Sequence, residues 1–239
     1  MPKALMRGFK RFLTGLGAAL PERFLHSLSM VLNYMRLGRW MRSQGFRVPA
    51  RYPTRDGVFS VAAGAIRDAK VLYLEFGVYQ GASMRWWSGA LRNPDSRLHG
   101  FDSFEGLPEA FDDAGGKYAR GWFSTGGQPP AIDDPRVTFF KGWFNETLPG
   151  YSFPEHEVLF INIDADLYSS TIYVFRALRP HIKPGVYLYM DDMSRPDHEP
   201  RALEEFFRES GLKFRALAAD VTLNNVLFIC EGEWADARA

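Results

Sequence analysis

From residue 70 onward, short apolar runs alternate with segments whose apolar residues recur every three or four positions. "KVLYLEF" (70–76), "RLHGFD" (97–102), "VTFFKG" (137–142), "EVLFINID" (157–164) and "GVYLYMDD" (185–192) read as buried strands. Between them, "GASMRWWSGAL" and "STIYVFRALRPHI" read as helices. In the second, Ile172, Phe175 and Leu178 fall at helical spacing, and Pro184-Gly185 turns the chain into the fifth strand. A helix over about 200–210 precedes "KFRALAA" and "NNVLFICE", which form a terminal antiparallel pair. Alternation of this kind predicts an α/β fold, a mostly parallel sheet covered by helices on both faces.

The first fifty residues follow another pattern. Leu5, Phe9, Phe12 and Leu16 recur at helical spacing with Arg7, Lys10 and Arg11 between them, which predicts a basic amphipathic helix. After Pro21 a second helical pattern runs to Gly45. Nine basic residues and one acid, Glu22, occupy positions 1–50. The net charge of +1 therefore requires an acidic remainder. We divide the chain into a basic helical extension, 1–50, and a catalytic body, 51–239. Three roles are open to the extension: lying on an anionic membrane surface through residues 1–45, pairing two copies as a homo-oligomer, or capping the body's own site.

Composition narrows the class. Hydrophobic residues make up 46% and charged residues 24%, the balance of a globular protein rather than a disordered chain. The lone Cys230 permits no intrachain disulfide, and the amphipathic start lacks the uninterrupted apolar stretch of a secretory signal. No apolar run approaches the roughly 20 residues of a membrane span. The expected location is cytoplasmic, with peripheral membrane contact as the variant.

In a sheet of this type, ligands sit outside the carboxyl ends of the strands, near the point where strand order reverses. Glu75, Asp102, Asp164, Asp166, Asp191 and Asp192 all fall at such ends, so one rim is acidic. In "EFGVYQGAS", Gly77 and Gly81 allow a tight strand-to-helix turn with close backbone approach to a ligand. Glu75 beside them suits a cationic or hydroxyl-bearing ligand better than a pyrophosphate. Asp102 stands where ribose hydroxyls are accepted in this architecture, or where an acid caps a turn. Trp143 and Phe144 in "KGWFNETLP" could stack on an adenine or seal a helix. Asp164, Asp191 and Asp192 repel one another unless a cation or shared proton intervenes. An all-oxygen set favours Mg²⁺, Mn²⁺ or Ca²⁺ over zinc. Residues 105–135, rich in Gly, Pro and Asp, form one long irregular segment of the kind that makes lids.

The series "EFGVYQGAS", "GFDSFEGLP", "KGWFNETLP", "DADLYSST", "KPGVYLYMDD" resembles, in order and spacing, the macrocin O-methyltransferase family over about 70–210. The resemblance implies a Rossmann-like class I methyltransferase sheet of seven strands, the last antiparallel. It also implies S-adenosylmethionine as cofactor and Mg²⁺-dependent methylation of a hydroxyl, typically on a sugar. Glu75, Gly77 and Gly81 match the family's first cofactor motif, toward the methionine end. Asp102 matches the ribose-binding acid, Ser103 its neighbour, and Trp143 the segment bordering the adenine. Asp164, Asp191 and Asp192 match the acids that hold the metal. Ala165 stands where the family commonly has Gly.

The reaction needs a base for the acceptor hydroxyl; Asp164 or Asp166 is the candidate, with His198 in "SRPDHEP" as a second. The expected partner is a small-molecule or glycan hydroxyl acceptor. An acidic rim would repel phosphates, which argues against nucleic acid. The alternative function is a non-catalytic cofactor-binding or scaffold protein docked through its basic helices.

Overall fold

The computed structural model describes residues 3–113 and 116–233; residues 114 and 115 of the expected lid lie outside them, as do residues 1–2 of the extension. The extension forms two helices, α1 (Lys3–Ala19) and α2 (Glu22–Ser43), parted at Pro21. The body follows with β1 (Arg51–Tyr52), α3 (Arg55–Ile66), β2 (Val71–Phe76), α4 (Ala82–Ala90) and β3 (Arg97–Asp102). A small hairpin, β4 (Phe111–Asp113) and β5 (Gly116–Tyr118), precedes β6 (Val137–Lys141), α5 (Phe144–Thr147), β7 (Val158–Ile163) and α6 (Tyr168–Leu178). Then come β8 (Tyr187–Met190), α7 (Glu199–Ser210), β9 (Leu212–Asp220) and β10 (Val226–Glu233).

The main sheet runs β1-β9-β10-β8-β7-β2-β3-β6. Neighbours pair in parallel except β10, which is antiparallel to both β8 and β9. Eight strands stand where seven were expected. The addition is β1, whose Arg51 and Tyr52 pair with Ala219 and Asp220; two residues are too few to show a strand period. The α3 helix had no counterpart in the sequence reading, and the hairpin gives ladder structure to part of the long irregular segment.

Side chains of β2 alternate between two cores. Leu72, Leu74 and Phe76 join the α6 and α7 side, whereas Val71 and Tyr73 pack with α3 and α4. Both cores are closed by large rings. Trp87, fully buried, lies 4.5 Å from Phe160 and 5.3 Å from Tyr73 by ring centroid. The far half of α2 is tied into the α6 and α7 side through Leu37 and Met41, so the extension shares the body's core.

The chain builds outward from β2 through β3 to β6, then returns to the other side of β2 as β7. Strand order therefore reverses between β2 and β7, whose carboxyl ends touch: the Asp164 N–H donates to the Phe76 carbonyl at 2.9 Å. That reversal sets where a ligand fits.

Candidate active site

The turn after β2 is shaped by a backbone that no side chain could share. Gly77 has φ of 92°, and a Cβ there would lie 1.7 Å from the Asp164 carbonyl oxygen. The N–H groups of Val78 and Tyr79 both donate to Asp102 Oδ2 at 2.8 Å, and Phe104 N–H donates to Oδ1 at 2.7 Å. Asp102 thus clamps the glycine turn from the end of β3 and keeps one acceptor site, on Oδ1, for a ligand. Ser103 Oγ beside it accepts from Glu105 N–H at 3.1 Å. Strain collects here: Tyr79, Phe123 and Asp166 have φ between 50° and 66°, and all three line the cavity described next.

A cavity of about 580 Å³ opens at the carboxyl ends of the strands. Of the residues singled out in the sequence, Gly77, Asp102, Ser103, Trp143, Asp164, Asp166, Asp191 and Asp192 line it together. Glu75 and Gly81 do not. A Cβ on Gly81 would meet Pro130 at 2.8 Å, so this glycine admits the long loop against the start of α4. Glu75 lies at the end of β2, 1% exposed, where Tyr73 O–H donates to its Oε2 at 3.1 Å and Asn162 Nδ2 donates to the Tyr73 hydroxyl at 2.9 Å. Burial pushes its carboxyl up to about 8, against the opposing pull of the Tyr73 hydrogen bond and Arg55.

The carboxylates after β7 and β8 form one cluster. Burial and then Asp191 and Asp192 hold Asp164 well above the ordinary range. Asp166 rises to about 7 through burial and then Asp192, with Arg195 pulling it back. Asp191 rises to about 6 through burial and Asp192, opposed by Arg55. The Arg195 guanidinium bridges Asp166 and Asp192 at 2.6 Å each. Tyr189 O–H donates to Asp191 at 3.1 Å, Asn225 Nδ2 also donates to Asp191, and Asn224 Nδ2 reaches Asp192 at 3.4 Å.

Sequence reasoning passed over Glu199. It is fully buried, its Oε1 accepts from the N–H groups of Ala165 (2.8 Å) and Asp166 (3.1 Å), and its Oε2 has no hydrogen-bond partner among the described residues. Arg195 and Glu199 both lie in "RPDHEP", a stretch read for His198 alone, although its place at the rim was signal enough to mark its other charged residues. The structure packs the His198 ring on Phe111, 4.6 Å between centroids, away from the cavity lining.

The cluster's chemistry fits a hard divalent cation. Its donors are oxygens, three of its carboxyls are raised by burial and then by one another's charge, and Glu199 Oε2 is buried without a partner among the described residues. As the side chains stand, no three acids among the described residues converge closely enough to hold an ion, because the cluster is closed on Arg195. Arg195 also ties the cluster to the β4–β5 hairpin, its guanidinium lying 5.5 Å from the Phe111 ring and 5.2 Å from the Tyr118 ring. Beyond Asp192 and Arg195 a second, polar cavity of about 330 Å³ is lined by Asn224, Asn225 and, from α2, Met30, Asn33 and Tyr34.

Known proteins share this architecture. Calicheamicin methyltransferase CalS11 is 20% identical, with a TM-score of 0.57 over 86% of this chain and 93% of that one. The O-methyltransferase NovP is 20% identical, with a TM-score of 0.53 over 86% and 99%. An O-methyltransferase from Bacillus cereus, solved with SAH, is 16% identical, with a TM-score of 0.50 over 83% and 90%. At such identities the likeness establishes the fold. No curated protein matches the chain. The profile of the family described as Methyltransferase domain matches residues 74–193, half of the chain, from the end of β2 to just beyond the second acid pair, and the chain belongs to that family.

Proposed function

We propose that the protein transfers a methyl group from S-adenosylmethionine to a hydroxyl of a sugar-bearing small molecule, with a divalent cation such as Mg²⁺ at the acid cluster. The observation that carries this reading is that one cavity holds both the Gly77–Asp102 turn and the acids of β7 and β8. The motif series similar to the macrocin O-methyltransferases supports the sugar acceptor, as does the structure of CalS11, described as a TDP-rhamnose 3'-O-methyltransferase; NovP, described as an O-methyltransferase, supports the hydroxyl.

In this reading S-adenosylmethionine supplies an electrophilic methyl group, and the cation supplies charge that favours an ionised acceptor oxygen. Asp102 and Ser103 face the ribose, and Trp143 borders the adenine. Gly77 lets the backbone approach the methionine end, and Gly81 shapes the turn. Glu75 lies outside the cavity lining and acts only indirectly, tied to Tyr73. Asp164, Asp191 and Asp192 would hold the cation. Asp166 and Asp164 both line the cavity; Asp166, raised to about 7, titrates near neutral pH, where general bases work best, whereas Asp164 is held well above the ordinary range, so Asp166 is the base. The acceptor O–H gives its proton to the carboxylate, the oxygen lone pair forms the O–CH₃ bond, and the C–S bond breaks to leave S-adenosylhomocysteine. Residues 51–239 make up the catalytic unit, and 1–50 its appendage.

Calorimetric titration of the full chain with S-adenosylhomocysteine, with and without Mg²⁺, tests the reading. Micromolar binding that Asp102→Ala weakens, with Asp191→Ala removing metal-dependent turnover but sparing cofactor affinity, is the expected result. Absence of binding under both conditions would return the chain to the scaffold alternative.

A further inference from the structure

The structure leaves α1 with no buried residue. Leu5, Met6, Phe9, Phe12, Leu13 and Leu16 fall on one arc of the helix and are between 38% and 63% exposed. Lys3, Arg7, Lys10 and Arg11 occupy the opposite arc, and no acid lies anywhere in the helix. A second exposed apolar stripe runs along α2, where Phe24, Leu28, Val31 and Met35 recur at helical spacing and are 46% to 66% exposed. The buried residues of α2, Leu37 and Met41, lie in its far half, while its first turn meets the body through an exposed ion pair of Glu22 with Lys117 at 3.5 Å. No helix among the described residues is long and apolar enough to cross a membrane.

We propose that α1 and the first half of α2 form an arm that docks the protein on an anionic lipid surface, with the apolar arc among the acyl chains and the cations at the phosphates. Two observations select lipid. The cationic arc carries no Asp or Glu to pair with along the helix, unlike a solvated surface helix laced with ion pairs. A second copy seated on the apolar arc would leave those four cations in water, whereas a lipid surface meets both arcs at once.

The helix also lacks internal reasons to persist alone. Gly8, Gly15 and Gly17 weaken it, and a Cβ at any of them would meet nothing within 4 Å, so they serve no close packing. With no tertiary contact burying a face, a helix of this length and composition is marginal in water and gains its stability from the surface it lies on. The arm is placed to matter for the site, since Met30, Asn33 and Tyr34 of α2 wall the polar cavity beside Asp192. The docking itself does not depend on the methyl-transfer reading.

Sedimentation of the full chain with sucrose-loaded vesicles tests it, comparing pure phosphatidylcholine with a mixture containing roughly one-third phosphatidylglycerol. We expect binding to the anionic vesicles about tenfold tighter or more, weakened by salt and several-fold by Lys10→Gln/Arg11→Gln. Phe9→Asp/Phe12→Asp should abolish it with an unchanged thermal midpoint, since neither side chain touches the core. No binding to anionic vesicles, equal binding to both kinds, or binding indifferent to the Phe9→Asp/Phe12→Asp pair would each overturn the proposal. A dimer lost in that double variant, with no lipid binding by the parent, would assign the face to a second copy instead.

Discussion

Replacing Glu75 by Gln should stabilise this protein, and more so as the pH rises. Glu75 is 1% exposed, and burial lifts its carboxyl from 4.5 to about 8 in the folded chain. The folded state therefore binds more protons than the unfolded state between those values. Stability contributed by the protonated acid is full below pH 4.5 and is lost as pH climbs through 8. At 1.36 kcal/mol per unit, the loss between pH 5 and pH 8 is about 3 kcal/mol. Gln keeps the shape, accepts the Tyr73 hydroxyl through its amide oxygen and carries no charge, so the variant should not show that slope. Asp164 and Glu199 are also raised by burial, and they tilt the curve of both proteins alike. The test is urea unfolding of the parent and Glu75→Gln at pH 5, 6, 7 and 8, comparing the two curves rather than either alone. Curves that converge near pH 5 and separate by about 3 kcal/mol near pH 8 are expected. Parallel curves, or a variant weaker than the parent at pH 8, would show Glu75 to be ionised in the fold and stabilised by Arg55.

Two other perturbations follow from the same accounting. Burial holds His99 down at about 4, with its Nδ1 2.7 Å from the Tyr151 hydroxyl. The unfolded state then binds the extra proton between about 6.5 and 4, so the parent should lose about 2 kcal/mol relative to His99→Gln on going from pH 7 to pH 5; equal losses in both would refute the burial argument. Arg195 competes for Asp166 and Asp192 at 2.6 Å, so Arg195→Gln should bind Mn²⁺ roughly tenfold more tightly by calorimetry, and an unchanged or weaker affinity would mean that the guanidinium does not stand in the cation's place.

The central strands and the acids that end them could be read from the chain because their physics is local. A strand buried on both faces must be a near-continuous apolar run, and "VLYLEF" and "VLFINI" are such runs. The rule that ligands sit at carboxyl strand ends then carried Asp102, Asp164, Asp166, Asp191 and Asp192 to one mouth without coordinates. The α1 helix was equally plain, since segregating Phe9 and Phe12 from Lys10 and Arg11 requires only 3.6 residues per turn.

What the sequence alone could not decide is which groups meet across long separations. Glu199 reaches back to the backbone of Ala165 and Asp166, and Arg195 closes on Asp166 while touching the hairpin of residues 111–118. Neither contact has a period or a motif. Glu75 looked like a rim residue from its place at the end of β2, yet the pleat turns its side chain toward Tyr73 and Asn162 and leaves it out of the cavity lining. The two-residue strand β1 exists because Ala219 and Asp220 offer it an edge. Local pattern determines which segments are strands and helices and where their ends carry charge. Burial and partnership, which set the charge state of each acid, arise only when distant segments pack together and exclude water.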